Sequence, residues 1–490
     1  MSNPPSQSLL TELKDRLGLK GFTADPSDLA PWLQDWRGRY QGAAAAMLSP
    51  ATTQQVSDIV RLCAAEGVPL VPQGGNTSMA GGATPSEAGD ALLLSTRRMN
   101  RLRSISAEAN VAVAEAGVIL ADLHEAAAAV GRRFPLSLGA KGSATIGGLV
   151  STNAGGTQVL RFGTMRALVE GIEAVLPDGS IFDSLAPLKK DNRGYDLRQL
   201  LIGAEGTLGI VTAASLKLVP AVGSRSVAWC GLESPDKALA LLRLLDNAVG
   251  DAVESFELVP RQALDLVLRH VAGTRAPLGG SHGWHVLIEA VAPMVAPSPE
   301  KELGRALGAA LEIGVIEDAI IAQNEAQAEA LWRIRDSISE AEKKDGPAAK
   351  HDVSVEVSAM PAFMIEATAA VEQRFPGTRV IAFGHLGDGN VHFNVRAPEG
   401  ADQAWAVGEG SAVTAFVHDL VTAAGGSISA EHGIGQMRLA ELARLGDPTR
   451  LAAMRAIKKA LDPKGIMNPG KLVPPIARAQ ASLAQSPHRQ

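Results

Sequence analysis

Two cysteines in 490 residues, Cys63 and Cys230, stand far apart and outside any CxxC pair. A disulfide framework and a cysteine-built zinc knot are therefore excluded. Basic runs are missing too: 46 Lys and Arg against 52 Asp and Glu give a net charge of −6. The clustered cations that nucleic-acid phosphates demand are absent. No window nears the ~18 apolar residues of a membrane span. The opening "MSNPPSQSLLTELKDRLG" has no basic segment followed by an apolar one, as a secretory signal would. The expectation is a cytoplasmic protein, with peripheral membrane contact left open. Aromatic residues are scarce, at 4%, whereas glycine is abundant, at 50 residues. That balance suits tight turns and ligand sites lined by backbone. With 46% hydrophobic and 20% charged residues the chain is globular, and its length predicts two or three domains.

A short helical lead, with Leu9, Leu10, Leu13 and Leu17 near helical spacing, occupies residues 1–42. "TTQQVSDIVRLCAAEG" then reads as a capped amphipathic helix and "VPLVPQGG" as a strand ending in a glycine turn. "GIEAVLPDG" reads as a strand with a hairpin-like Asp178-Gly179. Beyond a boundary near 222, long helical stretches at 235–248, 298–313, 324–345 and 360–374 alternate with strands such as "HVLIEAV" and "RVIAFGHL". The pattern predicts an α+β architecture in both halves, 43–222 and 223–430. A further segment spans 431–475, and 476–490 is expected to be a flexible polar tail.

Three glycine clusters carry the first half: "PQGGNTSMAGG", "GAKGSATIGGLVSTNAGG" and "GAEGTLGIV". None is GxGxxG opening a helix, so a Rossmann site is a poor match. Each alone is an ordinary turn. Together, with the hydroxyl donors Thr77, Ser78, Ser143 and Thr145 among them, they favour a pyrophosphate-bearing cofactor cradled by backbone N–H groups.

In the second half, "FGHLGDGNVHFNV" sets His385 and His392 seven residues apart. An uninterrupted strand would point them to opposite faces, and the Gly387-Asp388-Gly389 stretch breaks that constraint. After the turn Val391, Phe393 and Val395 alternate with His392, Asn394 and Arg396. Read alone, the pair fits a surface hairpin as well as a metal site. "SISAEHGIG" adds Glu431 and His432, and a carboxylate with two imidazoles suits zinc, manganese or cobalt. Adjacent residues rarely share one ion, so Glu431 and His432 are expected to divide ligation and chemistry; a structural histidine at a helix entrance is the other reading of His432. In "LWRIRDSISEAEKKDGPAAKHDVSVEV", Arg335 offers a planar fork for a carboxylate, and Ser339 stands four residues on, on the same face of a helix. Lys343 and Lys344 read as ordinary surface charges.

The glycine stretches, together with "RFGTMR" and "VLPDGSIFDSLAPLKKDNRGYDL", resemble the FAD-binding domain of the vanillyl-alcohol oxidase type flavoproteins over most of 43–220. The resemblance implies two packed α+β subdomains with FAD extended between them. It places Pro72, Gln73, Gly74, Gly75, Asn76, Thr77 and Ser78 at the pyrophosphate and Ser137, Gly142, Ser143, Ile146, Gly147, Gly148, Asn153 and Gly155 centrally. Glu205, Gly206 and Ile210 supply the remaining contacts, and Asn468 lies near the flavin. Many relatives tether the flavin through a histidine where this chain has Asn76, so noncovalent FAD is expected. From about 225 to 473 the chain is similar to the substrate domain of FAD-linked D-2-hydroxy-acid dehydrogenases, through "GHLGDGNVHFN", "AEHGIG" and "DPKGIMNPGK". That similarity implies zinc ligands His385, His392 and Glu431, a general base His432, and substrate contacts from Arg335, Ser339 (Thr in relatives) and Lys350; Asn394, on the polar face beside His392, is a further hydrogen-bonding candidate. The implied reaction oxidises D-2-hydroxyglutarate to 2-oxoglutarate, with D-lactate, D-malate or glycolate as alternative substrates. An electron-transfer flavoprotein, quinone or cytochrome would take the electrons, and a homodimer fits the same reading. From other classes, a metal-dependent hydrolase or a non-catalytic FAD-binding subunit also suits these residues.

Overall fold

The computed structural model describes residues 4–475, so the expected flexible tail 476–490 lies outside the described residues. In the first sheet, strands Met47–Leu48, Leu92–Ser95 and Leu70–Gln73 pair in parallel, with Phe22–Thr23 antiparallel at the edge. Parallel pairing sets this sheet apart from the antiparallel ones that follow. Its cause is the helix Thr53–Glu66, which crosses between two strands running the same way. That helix starts where the Thr52 hydroxyl accepts the N–H of Gln55 at 3.2 Å and stops at Gly67, whose φ of +72° suits a residue without Cβ. Val56, Ile59, Val60 and Cys63 form its buried face; losing the Thr52 cap would cost about 1 kcal/mol.

The second sheet has five antiparallel strands in the order Leu102–Ser106, Val111–Glu115, Ile210–Lys217, Val169–Val175 and Ile181–Ser184. Its central strand is buried from Ile210 to Leu216, consistent with its uninterrupted apolar and small residues. Buried carboxylates tie its strands together and to the helix Thr53–Glu66. Glu173 accepts Arg103 Nη2 at 2.8 Å and the hydroxyl of Thr53 at 2.6 Å, and Glu115 accepts Arg101 Nη2 at 2.8 Å.

From Val222 onward a third sheet of seven antiparallel strands forms, in the order Asp318–Ile321, Val222–Leu232, Trp284–Pro293, Val253–Pro260, Arg379–His385, Asn390–Arg396 and Ala348–Ser354. One face packs Val391, Phe393 and Val395 under helices that include Pro235–Ala248 and Met360–Arg374. The other face packs Trp229, Ile381 and Phe383 against Arg261–His270 and Glu325–Asp336. The helix expected over 324–345 is two helices, Glu325–Asp336 and Ile338–Asp345. At Ser337 ψ is −4°, away from the regular helical value, and the first helix ends there. Glu254 docks the third sheet on the first half, accepting both Nη atoms of Arg133 at 2.6 Å and Arg161 at 3.2 Å. Removing one partner of so buried a pair costs about 3–5 kcal/mol. The chain then returns. Leu70 donates to Ile466 O and accepts from the N–H of Asn468, each at 2.8 Å, so residues 466–468 extend the first sheet.

Candidate active site

The two histidines meet because of how the turn between their strands counts residues. His385 pairs with Asn390 and Phe383 with His392, so four turn residues set the two imidazoles on one face, one step apart. The turn is tight enough to need glycine. A Cβ on Gly389, at φ +79°, would lie 2.1 Å from Val355 O, and one on Gly387 would lie 2.5 Å from Leu160. The rings stand 5.5 Å apart at 78°. Glu431 completes the group, its carboxylate oxygen and one nitrogen of each ring lying within 4.8 Å of one another.

Buried acids set the electrostatics. Glu257, the cross-strand neighbour of His385, accepts His385 Nδ1–H at 2.7 Å on one oxygen. Its other oxygen accepts Arg335 Nε at 2.8 Å and lies 2.7 Å from Nη2. Burial alone would lower the His385 ring, yet the Glu257 carboxylate raises it to about 9. Burial, reinforced by the charge of His385, lowers His392 to about 3. Burial also raises Glu431 to about 7, with Asp352 and Asp388 adding to it. Three donors so arranged, with no hydrogen bond to the Glu431 carboxylate or the His392 ring among the described residues, fit a divalent cation. Nδ1 of His385 is held by Glu257, leaving Nε2 to ligate.

Beside this group stands Asp352. One of its oxygens accepts the backbone N–H groups of Glu431 and His432, both at 3.0 Å, and lies 3.1 Å from His432 Nδ1; the other accepts Asn390 Nδ2 at 2.9 Å. Burial would raise the Asp352 carboxyl, but His432, His392 and Arg438 outweigh it and hold the group well below the carboxylate range. His432 is lowered by burial against the pull of Asp352. A carboxylate facing Nδ1 favours the Nδ1–H tautomer and frees Nε2 to accept a proton.

A cavity of about 680 Å³ runs from the first glycine loop to Glu431 and His432. Its walls are backbone against backbone. A Cβ on Gly75 would fall 1.8 Å from Ser143 O, and one on Gly74 would fall 2.1 Å from Thr145 Oγ1. The N–H groups of residues 74–79 find no acceptor among the described residues, and the buried hydroxyls of Thr96 and Thr145 are unpartnered. Such a run of free donors fits the phosphates and polar ring edges of FAD. Gly155 meets the second half directly, since its Cβ position lies 3.2 Å from Glu431 Oε1.

The residues expected to contact the cofactor divide. Pro72, Gln73, Gly74, Gly75, Asn76, Thr77, Ser78, Ser143, Gly147, Gly148, Gly155, Glu205, Gly206 and Ile210 line this cavity. Ser137, Gly142, Ile146, Asn153 and Asn468 stand outside its lining. Asn153, at φ +50°, ends a helix and accepts the N–H of Arg166 at 2.9 Å. Asn468 donates to Gly82 O and Glu205 O at 2.9 and 2.7 Å, stapling the returning segment beneath the loops. The Glu205 carboxylate accepts the N–H groups of Ile434 and Gly435 at 2.8 and 2.7 Å, which fixes the segment that carries His432.

Among the expected substrate contacts, Arg335 is buried against Phe383, and Lys350 and Asn394 are cross-strand partners. Buried Glu342 accepts Lys350 Nζ at 3.0 Å and Asn394 Nδ2 at 2.8 Å. Ser339 departs from expectation. It is exposed while Arg335 is buried, because the break at Ser337 takes it off the shared face. Glu257 and Asp352 were not anticipated. An acid within the apolar run "FELV", and a position two residues from Lys350 on an alternating strand, were their signals.

Residues 44–184 match a family described as FAD binding domain, and residues 223–472 one described as FAD linked oxidases, C-terminal domain. The mitochondrial D-2-hydroxyglutarate dehydrogenase of Arabidopsis thaliana is 38% identical over 476 residues, 96% of this chain and 83% of the relative. The D-2-hydroxyglutarate dehydrogenase of Xanthomonas citri pv. viticola is 37% identical over 451 residues, 91% of this chain and 93% of the relative. Among solved structures, p-cresol methylhydroxylase with substrate bound shares the fold at a TM-score of 0.72 and 14% identity, over 97% of this chain and 99% of that one.

Proposed function

Because the chain belongs to the FAD-linked oxidase family, with a vanillyl-alcohol oxidase type FAD-binding domain, we propose that it is an FAD-dependent dehydrogenase that oxidises D-2-hydroxyglutarate to 2-oxoglutarate. The observation that carries this reading is one continuous cavity whose glycine-lined wall ends at Glu431 and His432. Relatives of that name cover nearly the whole chain and support the substrate.

His432 Nε2 accepts the proton of the substrate hydroxyl, with Asp352 holding the ring and balancing the charge it gains. When bound, FAD supplies the acceptor for the hydride that leaves the α carbon. His385, His392 and Glu431 would hold a divalent cation, which would supply Lewis acidity to the substrate. Zinc suits these donors, and manganese or cobalt suits them too. Arg335 keeps its end-on Nη1 edge for a substrate carboxylate, since only Nε and Nη2 face Glu257. Lys350 and Asn394 contribute the adjoining positive and polar surface.

A second reading, the same chemistry on D-lactate, draws on the contact between Lys350 and Glu342, which offsets charge that a second carboxylate would use. Turnover with an artificial electron acceptor separates the two. The proposal requires 2-oxoglutarate to form, with kcat/KM for D-2-hydroxyglutarate at least about tenfold above that for D-lactate, a difference one charged hydrogen bond supplies. Equal or reversed values would favour the monoacid.

A further inference from the structure

We propose that Glu257 is a positioning residue shared by the metal group and the carboxylate anchor, so that one buried side chain couples metal affinity to recognition of a dicarboxylate. The inference rests on the function proposed above and deepens it. Glu257 has no solvent exposure and divides its two oxygens between two tasks. Oε1 receives Nδ1–H of His385 at 2.7 Å, which aims the other ring nitrogen at the metal group. Oε2 receives Arg335 Nε at 2.8 Å and lies 2.7 Å from Nη2, which leaves Nη1 clear of Glu257. A second link runs in parallel. The Arg335 guanidinium lies 5.1 Å over the Phe383 ring, and that ring stands 5.1 Å from His392. Both imidazoles therefore rest on groups that also seat Arg335.

The geometry makes the two tasks inseparable. A carboxylate has two acceptor oxygens and satisfies both donors at once, whereas a carboxamide has one. In Glu257→Gln either His385 or Arg335 loses its acceptor, and the amide N–H of the new side chain opposes whichever donor it faces. Losing the carboxylate behind a metal-ligating imidazole costs roughly 10–100-fold in metal affinity. Where both sites bear on Glu257, substrate at the anchor and metal at its ligands alter each other's affinity by the same factor.

The test uses full-length protein loaded with FAD. Zinc affinity is read by competition with a chromogenic chelator, and KM for D-2-hydroxyglutarate is read at saturating zinc. For Glu257→Gln the expected result is zinc affinity weaker by about 10–100-fold and KM raised by about tenfold, with FAD content unchanged. Zinc affinity within about twofold of wild type would overturn the inference while leaving the proposed function standing. Weaker zinc binding with an unchanged KM would also overturn it, since Glu257 would then serve His385 alone. Failure of the wild type to bind zinc would defeat the metal reading and this inference together. Should Glu257→Gln not retain FAD, Arg335→Lys takes its place, keeping the charge but losing the fork. Coupling requires that variant to weaken zinc several-fold as well as raise KM, and unchanged zinc affinity would refute it.

Discussion

The two halves of the cavity are built from different materials. Around the first glycine loop the wall is backbone, packed so closely that a Cβ at Gly75 would lie 1.8 Å from a carbonyl oxygen, and its donors are N–H groups. At the other end it reaches the side chains of Glu431 and His432, and around these stand Glu257, His385, His392 and Asp352, in mutual contact or near it. A backbone site tolerates little change in shape and has few charges to lose. A side-chain site tolerates shape changes but depends on every charge having its partner. The difference is testable, because substitutions at the two ends should fail in different ways.

The largest effect is expected at the charged end. His432→Ala should lower kcat by about 10²–10⁴-fold, the range of general-base catalysis, while FAD content and its visible spectrum stay as in wild type. Loss of FAD from that variant would show that the two ends are not separable. Next comes the backbone end. Gly75→Ala forces a methyl group onto Ser143 O and should cost about 1–3 kcal/mol, read as FAD retention roughly 5–150-fold weaker, with zinc affinity unchanged. Equal FAD affinity would mean the loop shifts freely and that the cavity is not preformed.

A smaller effect separates structural charges from functional ones. Glu115 and Glu173, on strands of the second sheet, are each raised by burial but held below the ordinary glutamate value by Arg101 and Arg103. Groups depressed in the folded state add stability that is full above the unfolded pKa near 4.3. That stability is lost as pH falls through the lower folded values. Flavin release on heating should therefore shift to lower temperature from about pH 4 downward, and Glu173→Gln should flatten the slope. A slope unaffected by Glu173→Gln would refute the assignment. The smallest effect is expected at Ser339. Ser339→Ala should leave KM within about twofold, as surface changes usually do, and a large rise in KM would mean that the exposed side chain turns inward to reach substrate.

What could be read from the sequence follows the same division. Glycine clusters announce backbone sites, because few other residues can stand where Gly74 and Gly75 do. The alternation after Gly389 gave the faces of Val391 and His392 correctly, since period two survives any packing. Glu257 and Asp352 could not be read so easily. Their partners come from 128 and 80 residues away in the chain, and no local pattern encodes such pairings. Ser339 shows the reverse failure. Four-residue spacing implies a shared face only while the helix continues, and the interruption at Ser337 cancels the inference.

The central claim is that both ends serve one reaction. Its most direct test is an anaerobic visible spectrum of the FAD-loaded protein, taken before and after D-2-hydroxyglutarate, with and without prior treatment by a chelator. Flavin bands should bleach with the D isomer and not the L isomer, and should stay oxidised in the chelated sample although FAD remains bound. Bleaching at the same rate after metal removal would contradict the account, because the charged cluster would then play no part in what the glycine-lined cavity does.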